Sequence, residues 1–533
     1  MRTRGAFQGP RSDQFKPETV PSPVGGLNAF DSLVAMPETD AFIFQNWWPQ
    51  PYGCSVRKGY VEWSTGLPAA VETLAVWPGV TGTSTLFAWS GTAMYNAQAR
   101  GPIGPPVVTG LSNARWETAV VTNAAGSRLI AVNGLDNPIS FNGSVYARIT
   151  SGDGIVPNTW SGFNPQLAAQ LTVHQRRLWV VEKDSTKGWY LPPNAVQGVF
   201  TVFDFGALFS RGGFLQFLST WTIDDGSGAA DRLVAVSSNG EAVVYAGTDP
   251  NNAATWGLAG VYAVGSPVAG RRGFTKAGGD LIILTARGAV SMSAEIVSNQ
   301  AQDSDRPVES NKIQFLLSEL TSLYSSFNGW QLSYFAPINM LMINVPSVVE
   351  GGNIQLAANQ ITKAWTQFLG MDAACWTQYQ GLPYFGGYTG VIYRAWTGFV
   401  DEVKLNNTGG FPIVSLVQQA YSYFGGRSNV KQVGLYRPLF VASGLVSYTS
   451  SIVYDFADNL QVIPALLLNG AVGTWGVSTW GSGRWSGGSS VQQSWNSAEG
   501  LGSAVSIKMT MVSDTDVLWV STDYSLIQTR GIL

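Results

Sequence analysis

Charge is scarce in this sequence. Only 12% of its 533 residues are charged, about half the share that is usual in soluble proteins. A chain with so little charge must bury much of its surface, either in its own core or against other chains. The 31 basic residues are scattered and the net charge is −3, whereas tight binding to DNA phosphates needs clustered Lys and Arg. The composition therefore argues against a sequence-reading DNA-binding protein.

Cysteine and histidine are nearly absent, which removes several catalytic classes. Cys54 and Cys375 are too few for a disulfide framework, and we interpret them as buried free thiols. Neither has a basic sequence neighbour that would lower its pKa. His174 is the only histidine, so Ser-His-Asp, Cys-His and His-metal chemistry have a single residue to recruit. We interpret His174 as a structural imidazole or a surface ring.

Long apolar runs are absent as well. The first 26 residues have no apolar core of the kind that a signal peptide needs, and no 18 apolar residues stand together anywhere. We expect no membrane anchor and folding in a reducing cytoplasm. The missing signal also argues against a secreted bacterial protein.

Known catalytic motifs are missing too. The glycine-rich GSGRWSGGSS lacks the lysine of a phosphate-binding loop, and GVSTW at Gly476 lacks the second glycine of a nucleophile elbow. TIDDGS at Thr222 matches half of the Asp-box of sialidase propellers, but Gly-Ala follows where Thr-Trp should stand. We expect no catalytic residue, no cofactor and no metal.

One aspartate-rich loop leaves an alternative open. DDGSGAAD offers Asp224, Asp225 and Asp231 as candidate Ca²⁺ ligands. The spacing departs from that of an EF-hand, and Asp-Gly loops commonly form Asx-turns without any ion.

Glycine, by contrast, is abundant, and it marks the turns of a repeat. With 61 glycines and 26 prolines rarely in runs, the chain has many tight turns. An apolar strand, a short turn and a second strand with a bulky residue recur every 42 to 60 residues. The instances begin at Leu86, Leu129, Leu178, Leu233, Leu281, Leu341 and Pro383.

This spacing favours an all-β fold built on a β-propeller of six or seven blades, since four-stranded blades recur at roughly 40 to 50 residues. Asn239-Gly240 and Arg287-Gly288 supply turn residues that tolerate positive φ. A large sandwich of ordinary hairpins is the alternative. A single isolated helix is expected near 308–325, where Ile313, Leu317 and Leu320 follow helical spacing.

Two shifts in composition predict the domain boundaries. Residues 1–25 are typical of an extended N-terminal arm. The propeller is expected over 26–400, because the polar segment DEVKLNNTGG then marks an exit. Longer strands in 401–533 predict a smaller β-sandwich that carries a Trp/Gly-rich excursion at 473–495.

The excursion GTWGVSTWGSGRWSGGSSVQQSW holds four tryptophans among glycines and serines: Trp475, Trp480, Trp485 and Trp495. We interpret them as turn residues that pack on a sheet or at a subunit boundary, where burial of each is worth about 1.5–3 kcal/mol. The alternatives are aromatic low complexity and a sugar-stacking surface, although hydrogen-bonding side chains cluster only around Trp495. Those side chains are Gln492, Gln493, Asn496 and Glu499.

Several stretches give the chain a family resemblance over most of residues 25–530. They are GGLNAFDSLVAMPETDAFIFQNWWPQPYGCSVRKGYVEW, LTVHQRRLWVVEK, DFGALFSRGGFL, SSNGEAVVYAGTDP, KAGGDLIILTARGAVSMS and KQVGLYRPLF. With these stretches the chain resembles the tail nozzle or tail hub proteins of short-tailed bacteriophages, also called packaged-DNA stabilisation proteins. The similarity lies in diffuse patterns, not in one diagnostic motif.

The resemblance implies a structural virion protein without catalytic residues, assembled in the host bacterial cytoplasm as a homo-hexameric ring. Such a ring extends the portal-adaptor channel, retains packaged DNA and forms the conduit for ejection. It implies as partners the head-to-tail adaptor, tail spike, fibre or plug proteins, and double-stranded DNA in non-specific passage. A carbohydrate-binding or depolymerising propeller, such as a receptor-binding tail component, is the alternative function.

Overall fold

The structure is a computed structural model. It describes residues 16–79, 82, 84–224, 229–297, 309–347, 353–444, 446–457 and 489–529. The chain divides into two compact units. The propeller unit comprises residues 58–360 and 368–410, and the sandwich unit comprises residues 1–57, 361–367 and 411–533.

This division differs from the predicted boundaries. Residues 26–57 belong with the C-terminal strands rather than with the propeller, which ends at residue 410 instead of 400. The described part of the expected arm includes the strand Lys16–Pro21. The physical reason is strand pairing between distant parts of the chain, which composition does not reveal.

The propeller unit is built from four-stranded antiparallel sheets that follow one another along the chain, as predicted. Blade 1 contains Val71–Trp77, Thr85–Ser90, Ala93–Asn96 and Val108–Thr109. Blade 2 contains Glu117–Asn123, Gly126–Val132, Ile139–Phe141 and Tyr146–Arg148. Blade 3 contains Ala168–His174, Arg177–Glu182, Lys187–Tyr190 and Thr201–Asp204. Blade 4 contains Leu215–Asp224, Ala229–Ser237, Glu241–Gly247 and Trp256–Ala263.

The last blades close the ring. Blade 5 has three strands, Phe274–Ala277, Asp280–Thr285 and Gly288–Ser291. Blade 6 has Ala373–Tyr379, Leu382–Gly387 and Ile392–Ala395. Its fourth strand comes from the start of the unit: Tyr60–Thr65 pairs antiparallel with Ile392–Ala395. The first and last strands of the propeller are therefore hydrogen-bonded within one blade, which leaves the ring no open seam there.

A three-stranded meander lies between blades 5 and 6. It contains Gln331–Phe335, Met340–Val345 and Ile354–Asn359. Leu332 N donates to Arg272 O at 2.9 Å on the blade 5 side, and Gln331 Nε2 donates to Trp376 O at 2.8 Å on the blade 6 side. The arrangement has six blades, including the three-stranded blade 5, and seven when the meander is counted as well. All seven predicted hairpins occur as neighbouring antiparallel strands.

Shorter strands complete the propeller unit. A small parallel sheet joins Thr150–Ser151, Thr159–Ser161 and Gly198–Val199. Gly101–Pro102 pairs with the end of Tyr60–Thr65, and Val400–Asp401 is a further two-residue strand.

Helix is as rare as predicted. The helix Gln314–Tyr324 follows a 3-10 turn at Asn311–Ile313, and it buries Leu317, Leu320 and Tyr324. A six-residue helix, Met292–Val297, follows blade 5. Three-residue 3-10 turns occur at Pro165–Leu167, Gly206–Leu208 and Ala336–Ile338.

Many of the aromatic side chains are buried inside the chain. Trp89 stacks on Trp116 with ring centroids 6.4 Å apart, and both rings are buried between blades 1 and 2. Trp179 likewise stacks on Trp256 at 6.2 Å between blades 3 and 4. Abundant Trp therefore does not by itself indicate subunit interfaces, because aromatic pairs fill the wedge between neighbouring blades.

The sandwich unit places two sheets face to face. One sheet contains Lys16–Pro21, Trp47–Gln50, Gly53–Val56, Val430–Ala442, Ser490–Gln493, Asn496–Ser497 and Val517–Thr529. The other strands of the unit are Gly26–Leu27, Asp40–Gln45, Ala364–Phe368, Phe411–Gln419, Ser447–Tyr454 and Val505–Ser513.

Two contacts join these sheets. Phe440 packs on Tyr448 with ring centroids 5.1 Å apart, and the hydroxyls of Tyr436 and Ser450 are 2.9 Å apart. The strand Lys16–Pro21 pairs along its whole length with the final strand, so that opposite ends of the chain complete one sheet.

Candidate ligand site at the centre of the propeller

Arg272 crosses the centre of the propeller. It stands just before the first strand of blade 5, yet its guanidinium reaches blades 1 and 2. Nε donates to Glu117 Oε1 at 2.9 Å, and Nη1 donates to Glu72 O at 2.9 Å. Nη2 donates to Thr73 Oγ1 and to Trp116 O, both at 2.7 Å. One side chain therefore ties together three blades that are far apart in sequence.

The charges around Arg272 keep it ionised. Burial alone would lower the pKa of its guanidinium, but the charge of Glu117, the hydrogen bond that Glu117 accepts and the charge of Glu72 raise this pKa above its ordinary value. The guanidinium stays charged and holds its bonds to blades 1 and 2.

Two more arginines, Arg115 and Arg271, line the same cavity as Arg272. Arg115 Nε donates to Glu72 Oε1 at 2.9 Å, and the Arg115 side chain is about half exposed. Arg271 donates through Nη1 to the backbone carbonyl of Gln216 and to Leu215 O at 3.4 Å. Burial lowers the pKa of Arg271 even though Glu117 and Asp184 act in the opposite direction.

These residues line a cavity of about 510 Å³, a size typical of small-molecule sites. Its wall also carries Phe327 and Tyr388, whose side chains are 41% and 42% exposed. Asp372 lies in the same wall, and burial raises the pKa of its carboxyl group. Arginines, carboxylates and half-exposed aromatic rings thus meet around one space.

The residues that we discounted for catalysis do not line this cavity and are buried. The Cys54 and Cys375 thiols are free, and burial raises the pKa of each to about 12. Cys375 Sγ donates to Val71 O at 3.1 Å. His174 Nδ1 lies 3.2 Å from Thr220 Oγ1, and burial lowers the pKa of the imidazole to about 4. Both thiols are therefore protonated at neutral pH and the imidazole is neutral.

Of the four tryptophans of the excursion, one lies among the described residues. Trp495 is 45% exposed, and its ring lies 4.6 Å from the Arg437 guanidinium, which pairs with Asp523 at 2.8 Å. The Trp495 ring therefore lies against Arg437 of the strand Val430–Ala442. Trp475, Trp480 and Trp485 lie outside the described residues.

The aspartate loop is described only in part. Thr222 Oγ1 donates to Asp231 Oδ1 at 2.6 Å. Asp225 lies outside the described residues, and the side chain of Asp224 is not described either. Within the described ranges, no group of three or more His, Cys, Asp or Glu is arranged to hold a metal ion. No helix there has the length and apolarity needed to span a membrane.

Comparisons with known proteins add little to this description. No family model and no curated protein matches the sequence. Solved structures that resemble the fold include BBS1N in complex with ARL6DN, with a TM-score of 0.38, 9% identity, and coverage of 64% of this chain and 98% of that one. Chaetomium thermophilum Raptor matches with a TM-score of 0.37 and 10% identity, over 64% of this chain and 28% of that one. The Myceliophteria thermophila Cps50 (Swd1) β-propeller domain matches with a TM-score of 0.35 and 10% identity, over 61% of this chain and 96% of that one. TM-scores this low support no conclusion about function.

Sequence reasoning missed this site. Glu72, Arg115, Glu117 and Arg272 are spread over 200 positions, and none belongs to a motif. The adjacent pair Arg271-Arg272 before an apolar strand is the one local signal, and a doublet of arginines is too common to indicate a cavity.

Proposed function

We propose that this chain is a structural virion protein of a short-tailed bacteriophage. It would assemble as a homo-hexameric tail nozzle or hub that extends the portal-adaptor channel, retains packaged DNA and forms the conduit for its ejection. The family resemblance of the sequence motivates the proposal. Its partners are then the head-to-tail adaptor, spike, fibre or plug proteins, and DNA that passes without specific contacts.

One observation carries the assembly part of this proposal, an apolar rung on the outer face of a sandwich sheet. Val441 lies opposite Val491 on one side and Leu518 on the other. Because Phe440 and Ala442 are buried, the alternation of the strand directs Val441 outward. Val491 is 65% exposed. Exposed apolar patches on sheets commonly mark contacts with other chains, and a second copy of this chain is the occupant that we propose.

The sparse charge suits a conduit. A few Lys-phosphate contacts per subunit, repeated around a ring, would add up to strong retention of DNA. A wall with few and scattered basic residues allows the double helix to slide. A closed propeller also suits a part that bears internal pressure, since closed sheets leave few free strand edges for mispairing.

The test is the assembly state of the purified full chain, alone and with the adaptor protein, measured by light scattering. We expect a six-fold ring, and we expect Val491→Lys to weaken it because a charge would be buried in the contact. Val145→Lys is the matched control, since Val145 is 59% exposed but lies in blade 2. A chain that stays monomeric with the adaptor, or that electron microscopy of particles places off the tail axis, contradicts the proposal.

A second candidate function is carbohydrate binding, and the central cavity is the observation that favours it. The cavity combines half-exposed aromatic rings with carboxylates and arginines, as sugar-binding sites do. The rings stack on the C–H faces of a sugar, and the charged groups form hydrogen bonds with its hydroxyls. Saturable binding of host polysaccharide by the purified chain would support this function.

A further inference from the structure

Arg271 faces the central cavity without an acidic partner. Its Nη1 group bonds to two backbone carbonyls of blade 4, at Leu215 and Gln216. Its remaining N–H groups have no hydrogen-bond partner among the described residues, and no carboxylate there lies within ion-pair distance. Arg271 is only partly buried, so a ligand in the cavity can reach these N–H groups.

The nearby glutamates do not fill this need. Glu117 accepts from Arg272 at 2.9 Å, and Glu72 accepts from Arg115 at 2.9 Å. Both carboxylates are thus held by other guanidinium groups. The remaining donors of Arg271 are therefore available to a ligand, and a guanidinium with available N–H groups favours an anionic one.

The rest of the cavity wall narrows the ligand class. The ring of Tyr388 is held in place, because Asn353 Nδ2 donates to its hydroxyl at 3.1 Å. Phe327 packs edge-on against Tyr324, with ring centroids 6.1 Å apart. Ser326 and Asn328 offer a hydroxyl and an amide beside them. The wall therefore presents apolar ring faces together with polar groups, which a bare inorganic ion would leave unused.

We propose that the central cavity binds a sugar acid. Its carboxylate pairs with the free N–H groups of Arg271, and its C–H face lies against Tyr388 and Phe327. A guanidinium suits a carboxylate because its parallel N–H groups match the two oxygens. This inference rests on the second candidate function and names its ligand class, and it does not depend on ring assembly.

The test is a calorimetric titration of the full chain with D-glucuronate, D-glucuronamide and inorganic phosphate. We expect saturable binding of glucuronate, at least about tenfold weaker binding of the neutral amide, and no competition by phosphate at equal concentration. Arg271→Gln should lower the affinity for glucuronate by about tenfold or more. Arg176→Gln is the control, since Arg176 is exposed on the turn between two blade 3 strands.

A second variant tests the cavity independently of Arg271, in case Arg271→Gln misfolds. Tyr388→Leu keeps every arginine and should still lower glucuronate affinity severalfold, and the melting temperatures of all three variants check that they fold. Equal binding of glucuronate and glucuronamide would overturn the role of Arg271 while leaving carbohydrate binding intact. Phosphate that competes as well as glucuronate, or no saturable binding below about 10 mM, would overturn the sugar-acid assignment.

Discussion

At the scale of single residues, Arg272 and Arg115 make the same kind of contact in different surroundings. Each guanidinium pairs with a glutamate at 2.9 Å, but the Arg272 side chain is 21% exposed and that of Arg115 is 54% exposed. Arg272 also satisfies two backbone carbonyls and a threonine hydroxyl. Losing the Arg272 side chain would remove these hydrogen bonds and leave the Glu117 carboxylate without its ion-pair partner.

We therefore expect Arg272→Met to lower the free energy of unfolding by about 3–5 kcal/mol, the range for removing one partner of a buried ion pair. Arg115→Met should cost less than about 1 kcal/mol, because water screens an exposed pair. Urea unfolding of both variants measures the difference. Equal losses would show that Arg272 does not hold the blades together.

His174 gives a second prediction at this scale, on pH. Its folded-state pKa is about 4, below its ordinary value of 6.5, so the unfolded chain binds the proton first as pH falls. The contribution of the neutral imidazole to the free energy of unfolding is complete above about pH 6.5. It is lost progressively as the pH falls to about 4, by about 3 kcal/mol in total. Asp231 and Lys276 act on the imidazole in opposite directions.

The measurement is the free energy of unfolding from pH 8 to 4 for the natural chain and for His174→Gln, which cannot take up this proton. Because carboxylates also titrate near the acid end, the difference between the two curves isolates His174. Parallel curves would mean that the imidazole is not held neutral in the fold.

At the scale of elements, the hairpin turns differ in how closely they are packed. Gly240 turns between two blade 4 strands at φ +87°, and a Cβ there would lie 2.3 Å from the carbonyl carbon of Gly265. Gly278 turns between two blade 5 strands at φ +64°, with open space around it. Positive φ alone is strained for an alanine, and only Gly240 adds a clash with backbone.

Gly278→Ala should therefore cost about 1–2 kcal/mol, the cost of the left-handed conformation. Gly240→Ala should cost roughly 3 kcal/mol or more, because the backbone of its neighbour must also shift. Thermal unfolding of the pair measures the gap. Identical melting temperatures would show that the blade 4 turn relaxes freely.

At the scale of the whole molecule, the sandwich unit depends on both ends of the chain. Lys16–Pro21 pairs with Val517–Thr529, and Asp40–Gln45 pairs with Phe411–Gln419. A C-terminal fragment cut at the predicted boundary of residue 401 would lack the first strand of each pair and would leave apolar strand edges unpaired.

We expect the fragment 401–533 to lack a cooperative unfolding transition by itself. Co-expression with residues 16–57 should restore cooperative folding at least in part, because it returns five strands of the unit. Near-ultraviolet circular dichroism and thermal unfolding provide the measurement. A 401–533 fragment that folds alone would mean that the sandwich does not need the N-terminal strands in order to fold.

The apolar rung of Val441, Val491 and Leu518 and the central cavity also belong to this scale, since each collects residues from several elements. Val491 contributes to a surface that we assign to contacts between copies. Arg271 contributes to a cavity that we assign to a ligand. The two proposals are independent, so failure of one leaves the other standing.

Local patterns in the sequence were enough to predict the hairpins, the propeller and the helix. Alternating apolar residues around a turn such as Asn239-Gly240 form a hairpin from interactions within about 20 residues, so the sequence alone determines it. The helix Gln314–Tyr324 follows in the same way from apolar residues at helical spacing.

Only the tertiary structure decided which distant strands pair and which charges meet. Tyr60–Thr65 closes blade 6 and Lys16–Pro21 completes a sandwich sheet, because hydrogen bonds along a strand edge carry no local sequence code. Arg272 reaches Glu117 across 155 positions. Such a contact is fixed by ring geometry, which places the first strands of the blades around one centre whatever their separation in the chain.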